Sequence, residues 1–234
     1  MRRAHAGFTL VELLVALFAL SLLAVMSYRG IDGMMRAQAS TEARADDVLT
    51  LQIGLAQWAA DLDAIEQIPG LKAIEWNGRV LRLTRRSTAS PTDGLLVVAW
   101  TRRIVGDKGM WLRWQSPPVT TRGDIEQAWQ RADLWSQNAG SDDQAREVAV
   151  TPLDDWQIFF FRENAWTNPQ SSDVTSASIA SVARTAASGA AAVNPTQQPD
   201  GVRLVLQLPA NQAVAGTITR DWVRPQVTNV RTSS

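Results

Sequence analysis

The chain has 234 residues, 45% hydrophobic and 20% charged, with a formal net charge of zero. This suits one medium globular domain with its own core and gives no electrostatic footing for nucleic acid. There is no Cys and a single His, His5, near the start of the chain, so disulfides, thiolate metal sites and Cys nucleophiles are excluded.

The N-terminus is the most informative segment. Arg2 and Arg3 precede an apolar run, Phe8 to Met26, whose only polar members are Thr9, Glu12 and Ser21. As a helix this run spans about 28 Å, close to the thickness of a bilayer core. A cleaved secretory signal accounts for the basic start, but Ala19-Leu20-Ser21 is a poor processing site. A plain signal anchor accounts for the length but not for Glu12. A charge at the centre of a span costs roughly 2.5–3.5 kcal/mol, and less near its end.

Gly7-Phe8-Thr9-Leu10-Val11-Glu12 accounts for both features. It resembles the cleavage site of type IV prepilins and pseudopilins. These have a short basic leader, Gly before the cut, usually Phe after it, and Glu five residues past the Gly. The resemblance implies that residues 1–7 are a leader and that a prepilin peptidase cuts between Gly7 and Phe8. It also implies methylation of the new amine of Phe8 and retention of 8–27 as a transmembrane helix. Gly7 would let the protease approach the backbone closely. Glu12 would serve assembly by pairing with the ammonium of Phe8, on its own chain or a neighbour's. With His5 gone, the mature chain lacks the usual general base, and neither an enzyme nor a cofactor nor a metal site is expected.

Residues 28–69 read as the soluble half of the same helix. Tyr28, Ile31 and Met34/Met35 continue the helical spacing, with a bend or partial melting expected at Gly30 and Gly33. Val48, Leu51, Leu55, Trp58, Leu62 and Ile65 form one apolar stripe, with Asp46, Gln52, Asp61 and Asp63 off it, and Pro69-Gly70 stops the helix. Residues 70–223 read as a β-rich head. Leu71–Trp76 and Arg79–Thr84 flank the hairpin signal Asn77-Gly78. Leu95 to Trp100 has the density of a central strand, and Met110 to Trp114 alternates after a turn over Gly106 to Gly109. Glu147–Val150, Trp156–Phe161, Val202–Leu208 and Thr217–Val223 are further strands. Ile125 to Trp135 fits strand or helix.

Residues 170–200 are Ser, Ala, Thr and Asn rich and read as a mobile insert, with a short helix over 176–188 as the alternative. Residues 224–234 read as a tail. The fold class is α+β: a long N-terminal helix packed on antiparallel sheet. Ten Trp residues are read mainly as core and sheet-face fillers, with an interface patch or a sugar-binding strip as alternatives. Asp142-Asp143 and Asp154-Asp155 read as solvated turns, and Arg85-Arg86 and Arg102-Arg103 as solvated or paired with those acids.

Beyond the cleavage site, three features resemble the general secretion pathway protein J family of minor pseudopilins. These are Tyr28-Arg29-Gly30-Ile31-Asp32, Trp156-Gln157-Ile158-Phe159-Phe160-Phe161 followed by Trp166, and Val202 to Leu208 closing on Gly216 to Arg220. The likeness is strong at the N-terminus and loose after it. It implies a pilin-like fold, with the head in the periplasm and a single pass through the inner membrane. The implied partners are the I and K pseudopilins, extending to the H type and the major pseudopilin, the prepilin peptidase and the inner-membrane assembly platform. A type IV pilus minor pilin and a membrane-anchored carbohydrate-binding or hydrolytic domain remain the alternatives.

Overall fold

The computed structural model describes residues 9–87, 94–162, 164–169 and 198–225. Gly7, Phe8, nearly all of the 170–200 insert and the tail beyond residue 225 lie outside the described residues. The chain forms two compact units, Met1–Asp46 and Asp47–Ser234.

Helix α1, Leu10–Asp63, runs through the first unit and ends in the second. In the first unit its apolar residues stand exposed, and its polar side chains pair along its own surface. Arg36 bonds Asp32, Gln38 bonds Glu42, and the hydroxyls of Ser21 and Thr41 donate to carbonyls one turn back. The melting expected at Gly30 and Gly33 is absent: both are helical.

The second unit holds two antiparallel sheets. Sheet A has the order β1-β2-β3-β4-β5, and sheet B the order β7-β6-β8-β9. The strands of sheet A are β1 Ile74–Trp76, β2 Val80–Arg86, β3 Leu95–Val105, β4 Lys108–Gln115 and β5 Glu147–Pro152; those of sheet B are β6 Asp155–Arg162, β7 Ala165–Thr167, β8 Gly201–Leu208 and β9 Gly216–Val223. Asn77-Gly78 turns β1 into β2 as its chemistry requires: Gly78 has φ +90°, and the Asn77 side-chain oxygen accepts the N–H groups of Arg79 and Val80. The Leu95–Trp100 run is central in sheet A, between β2 and β4.

Both faces of sheet A are covered, which is why Trp111, Leu112 and Trp114 are all buried although they alternate in direction. On one face Leu51, Trp58 and Leu62 of α1 meet Leu81, Leu83, Trp100 and Trp111 in a core shared with the inner face of sheet B. On the other lies α2, Arg122–Gln137, which buries Ile125, Ala128, Ala132 and Trp135. The segment that fitted strand or helix is therefore helix. Thr121 caps it, its hydroxyl accepting the Asp124 N–H at 3.2 Å. The core reading of the Trp residues holds for Trp58, Trp76, Trp100, Trp111, Trp114, Trp135, Trp156 and Trp222, all buried, while Trp129 and Trp166 are half-buried.

Helix α1 ends at Asp63 rather than at residue 69, because the sheet captures the next residues. Ile65 bridges Arg85, the Glu66 N–H donates to Thr84 and the Arg86 N–H to Ala64. Gly54 was not singled out, yet α1 crosses the sheet there: a Cβ would stand 2.2 Å from Val150 Cγ1.

Candidate functional site

Two places on α1 combine polar chemistry with the helix, one at each end. At the start, Thr9 immediately precedes the first helical residue, and its carbonyl accepts the Leu13 N–H. The Thr9 hydroxyl accepts the Glu12 N–H at 3.3 Å and donates to Glu12 Oε2 at 3.0 Å. The Thr9 N–H donates to the same carboxylate oxygen at 3.0 Å. This is a reciprocal capping box, which satisfies helix-end donors with the side chains of both residues. In lipid that matters more than in water, since an unsatisfied backbone group costs several kcal/mol there. The Thr-x-x-Glu spacing was the available signal. The partner the sequence reading gave Glu12, the Phe8 amine, lies outside the described residues, as does Gly7; the described partner is Thr9.

Every residue from Thr9 to Ile31 is exposed. Among the described residues α1 is the one helix long and apolar enough to cross a membrane. Nothing else in the described chain covers this apolar surface.

At its other end α1 carries Asp61 and Asp63 in its last turn with no basic residue beside them. The helix dipole disfavours carboxylates there, so they need external donors. Asp61 is fully buried. Its Oδ1 accepts from Arg85 at 2.5 Å, Arg113 at 2.8 Å and Gln57 at 2.9 Å. Its Oδ2 accepts from Arg113 Nε at 2.8 Å and Trp100 Nε1 at 2.9 Å. Asp63 accepts the indole N–H of Trp222 at 2.7 Å. The helix end is thus fastened to β2, β3 and β4 of sheet A and to β9 of sheet B.

This corrects the reading of Arg85 and adds the burial of Asp61. Asp61 is off the apolar stripe yet wholly buried, and Arg85 is buried against it rather than solvated. Arg86 is exposed as expected, but the groups these arginines meet are not Asp142-Asp143 or Asp154-Asp155. Arg86 meets Glu66, Arg103 meets Glu147 at 2.7 Å, and Arg102 donates to the Leu153 carbonyl. Asp143 is taken by Arg131, while Asp154 and Asp155 are exposed.

The sheet A half of the head carries hollows among the described residues. One of about 280 Å³ is lined by Leu71, Ile125 and Trp129 with Lys72 and Glu126, and one of about 670 Å³ lies beside Arg103, Ile104, Val105 and Glu147. Their charged groups are already engaged: Lys72 with Glu75, Glu126 with Arg122, Arg103 with Glu147. Among the described residues no three His, Cys, Asp or Glu side chains converge as metal ligands would.

Residues 2–28 match a family model described as the prokaryotic N-terminal methylation motif. No curated protein matches the chain. The matched stretch contains Gly7-Phe8, the Thr9–Glu12 box and the exposed apolar run. The chain therefore joins a prepilin-type methylation motif to an apolar N-terminal helix and antiparallel sheets, the architecture of a type IV pilin-like protein.

Proposed function

We propose that this protein is a minor pseudopilin of a type II secretion system, of the J type, with a structural role in filament assembly. In this reading prepilin peptidase removes residues 1–7 and methylates Phe8. The helix then holds the chain in the inner membrane with its head in the periplasm. Joined to I and K pseudopilins at the filament tip, it starts a short pseudopilus that supports export of folded proteins.

The observation that supports this most is the methylation motif over residues 2–28, set on a helix whose apolar surface has no partner among the described residues. Such a surface must be covered by lipid or by other helices. Further support comes from the head. The segments that resemble the J family, Trp156–Phe161, Trp166, Val202–Leu208 and Gly216–Arg220, all come from sheet B, where β6, β8 and β9 are neighbours.

The test is processing followed by partner identity. Mature protein from cells should begin at a methylated Phe8, and Gly7→Leu should leave the leader attached. A mature N-terminus elsewhere overturns the prepilin reading. Purified full-length protein should then be recovered with I and K pseudopilins. Recovery with type IV pilus components instead would keep the processing and reject the secretion role.

A further inference from the structure

The two sheets end in four edges, and among the described residues three are blunted. β1 and β7 have three residues each. β5 carries a register shift opposite Trp111/Leu112 and ends in Pro152. Short, bulged or proline-ended strands are poor templates for another strand. β9 is different. Its eight residues pair with β8 without a break, from Gly216 opposite Leu208 to Val223 opposite Gly201, and it contains neither Pro nor Lys. Along its far side about half of its backbone N–H and C=O groups face away from β8.

Arg220 lies in the middle of this edge. It stands opposite Leu204, so its side chain leaves the sheet on the core-facing side, as do those of Ile218 and Trp222. Leu204 is fully buried, and Ile218 and Trp222 both join the core, yet Arg220 is exposed and has no hydrogen bond or ion pair among the described residues. The neighbouring charges on this sheet are neutralised: Arg203 binds Asp221 through two contacts of 2.7 Å, and Arg224 binds Asp200. An unpaired, inward-directed cation on an otherwise regular edge discourages most incoming strands. A strand added antiparallel sets one side chain directly opposite it, about 4.5–5.5 Å away between Cβ atoms. An apolar or basic residue there is unfavourable; a carboxylate completes the pair.

We infer that β9 is a docking edge for an extended segment of a partner polypeptide that brings Asp or Glu opposite Arg220. The backbone supplies the affinity and the single cation selects the partner. The inference stands on the head alone and is independent of the proposal for the N-terminus.

Full-length protein in detergent micelles can be tested with two short capped peptides that alternate Thr and Val, one with Glu at its centre and one with Lys. Binding is read by fluorescence anisotropy, and its place by amide exchange. The Glu peptide should protect the amides of Thr217–Val223 and bind about fivefold to tenfold more tightly than the Lys peptide, the swing of one cross-strand charge pair. Arg220→Glu, with an unchanged near-ultraviolet spectrum, should reverse the order. Equal binding of both peptides to the two forms overturns the inference. So does the absence of β9 protection at millimolar Glu peptide.

Discussion

At Asp61 a carboxylate fully out of solvent is held by two guanidinium groups, an indole and a carboxamide. Such a cluster adds little over an apolar one of the same shape, but removing one charge from it strands the others. Asp61→Asn should therefore destabilise the head by about 3–5 kcal/mol, read as a lower denaturant midpoint of tryptophan fluorescence in micelles. A loss below about 1 kcal/mol would show that the arginines find other partners at no cost. Gly54 makes a complementary steric case. Gly54→Ala should cost about 1–3 kcal/mol, because its methyl meets Val150, and Val150→Ala should recover part of that loss. Failure of the second change to help would mean the strain lies elsewhere. On sheet B, hydrogen bonds from Arg203 hold the Asp221 carboxyl below the usual carboxylate range. The folded-state pKa is lowered, so this contribution is complete above the unfolded value of about 3.9 and fades as pH falls through the lower one. Asp221→Asn should cost stability at neutral pH and flatten the acid limb below about pH 4, by a small amount because the pair is partly exposed. An acid limb of unchanged slope would contradict this assignment.

Elements were legible where a local pattern and the tertiary fold agree. The strands of sheet B show clear alternation because one face meets the core, and Asn77-Gly78 announces its hairpin through turn chemistry alone. Legibility fell where a distant partner decides. The pattern of α1 runs on past Asp63, but Ile65 and Glu66 are claimed by β2, a contact that no local window contains. The burial of Asp61 was illegible for the same reason, since its donors lie on β2, β3 and β4. At α2 the signal was present but not read: Thr121-x-x-Asp124 is a helix start, and Ile125, Ala128, Ala132 and Trp135 keep helical spacing. That cap can be tested directly. Thr121→Ala should cost about 1 kcal/mol and speed amide exchange in the first turn of α2 while leaving β3 unaffected. Uniform loss of protection across both would mean that α2 and the sheet open as one body.

At the scale of the whole molecule, the two compact units differ in what satisfies them. The second has its own core on both faces of sheet A, built from side chains that meet within it. The described part of the first is a helix whose apolar side chains have no counterpart there; Leu10 is 75% and Phe18 69% exposed. Surface of that kind is stabilised only by an apolar surrounding, at about 25 cal/mol per Å² removed from water. The stability of the first unit should therefore follow the solvent, and that of the second should not. In amide exchange, residues 10–27 should be protected in micelles or bilayers and lose that protection as detergent is diluted below its micellar concentration. The amides of β3 should keep theirs under both conditions until the free chain aggregates. Simultaneous loss of protection in β3 and in residues 10–27 would mean that the head needs the membrane helix for its own stability. The chain would then unfold as one cooperative body rather than as an anchored head.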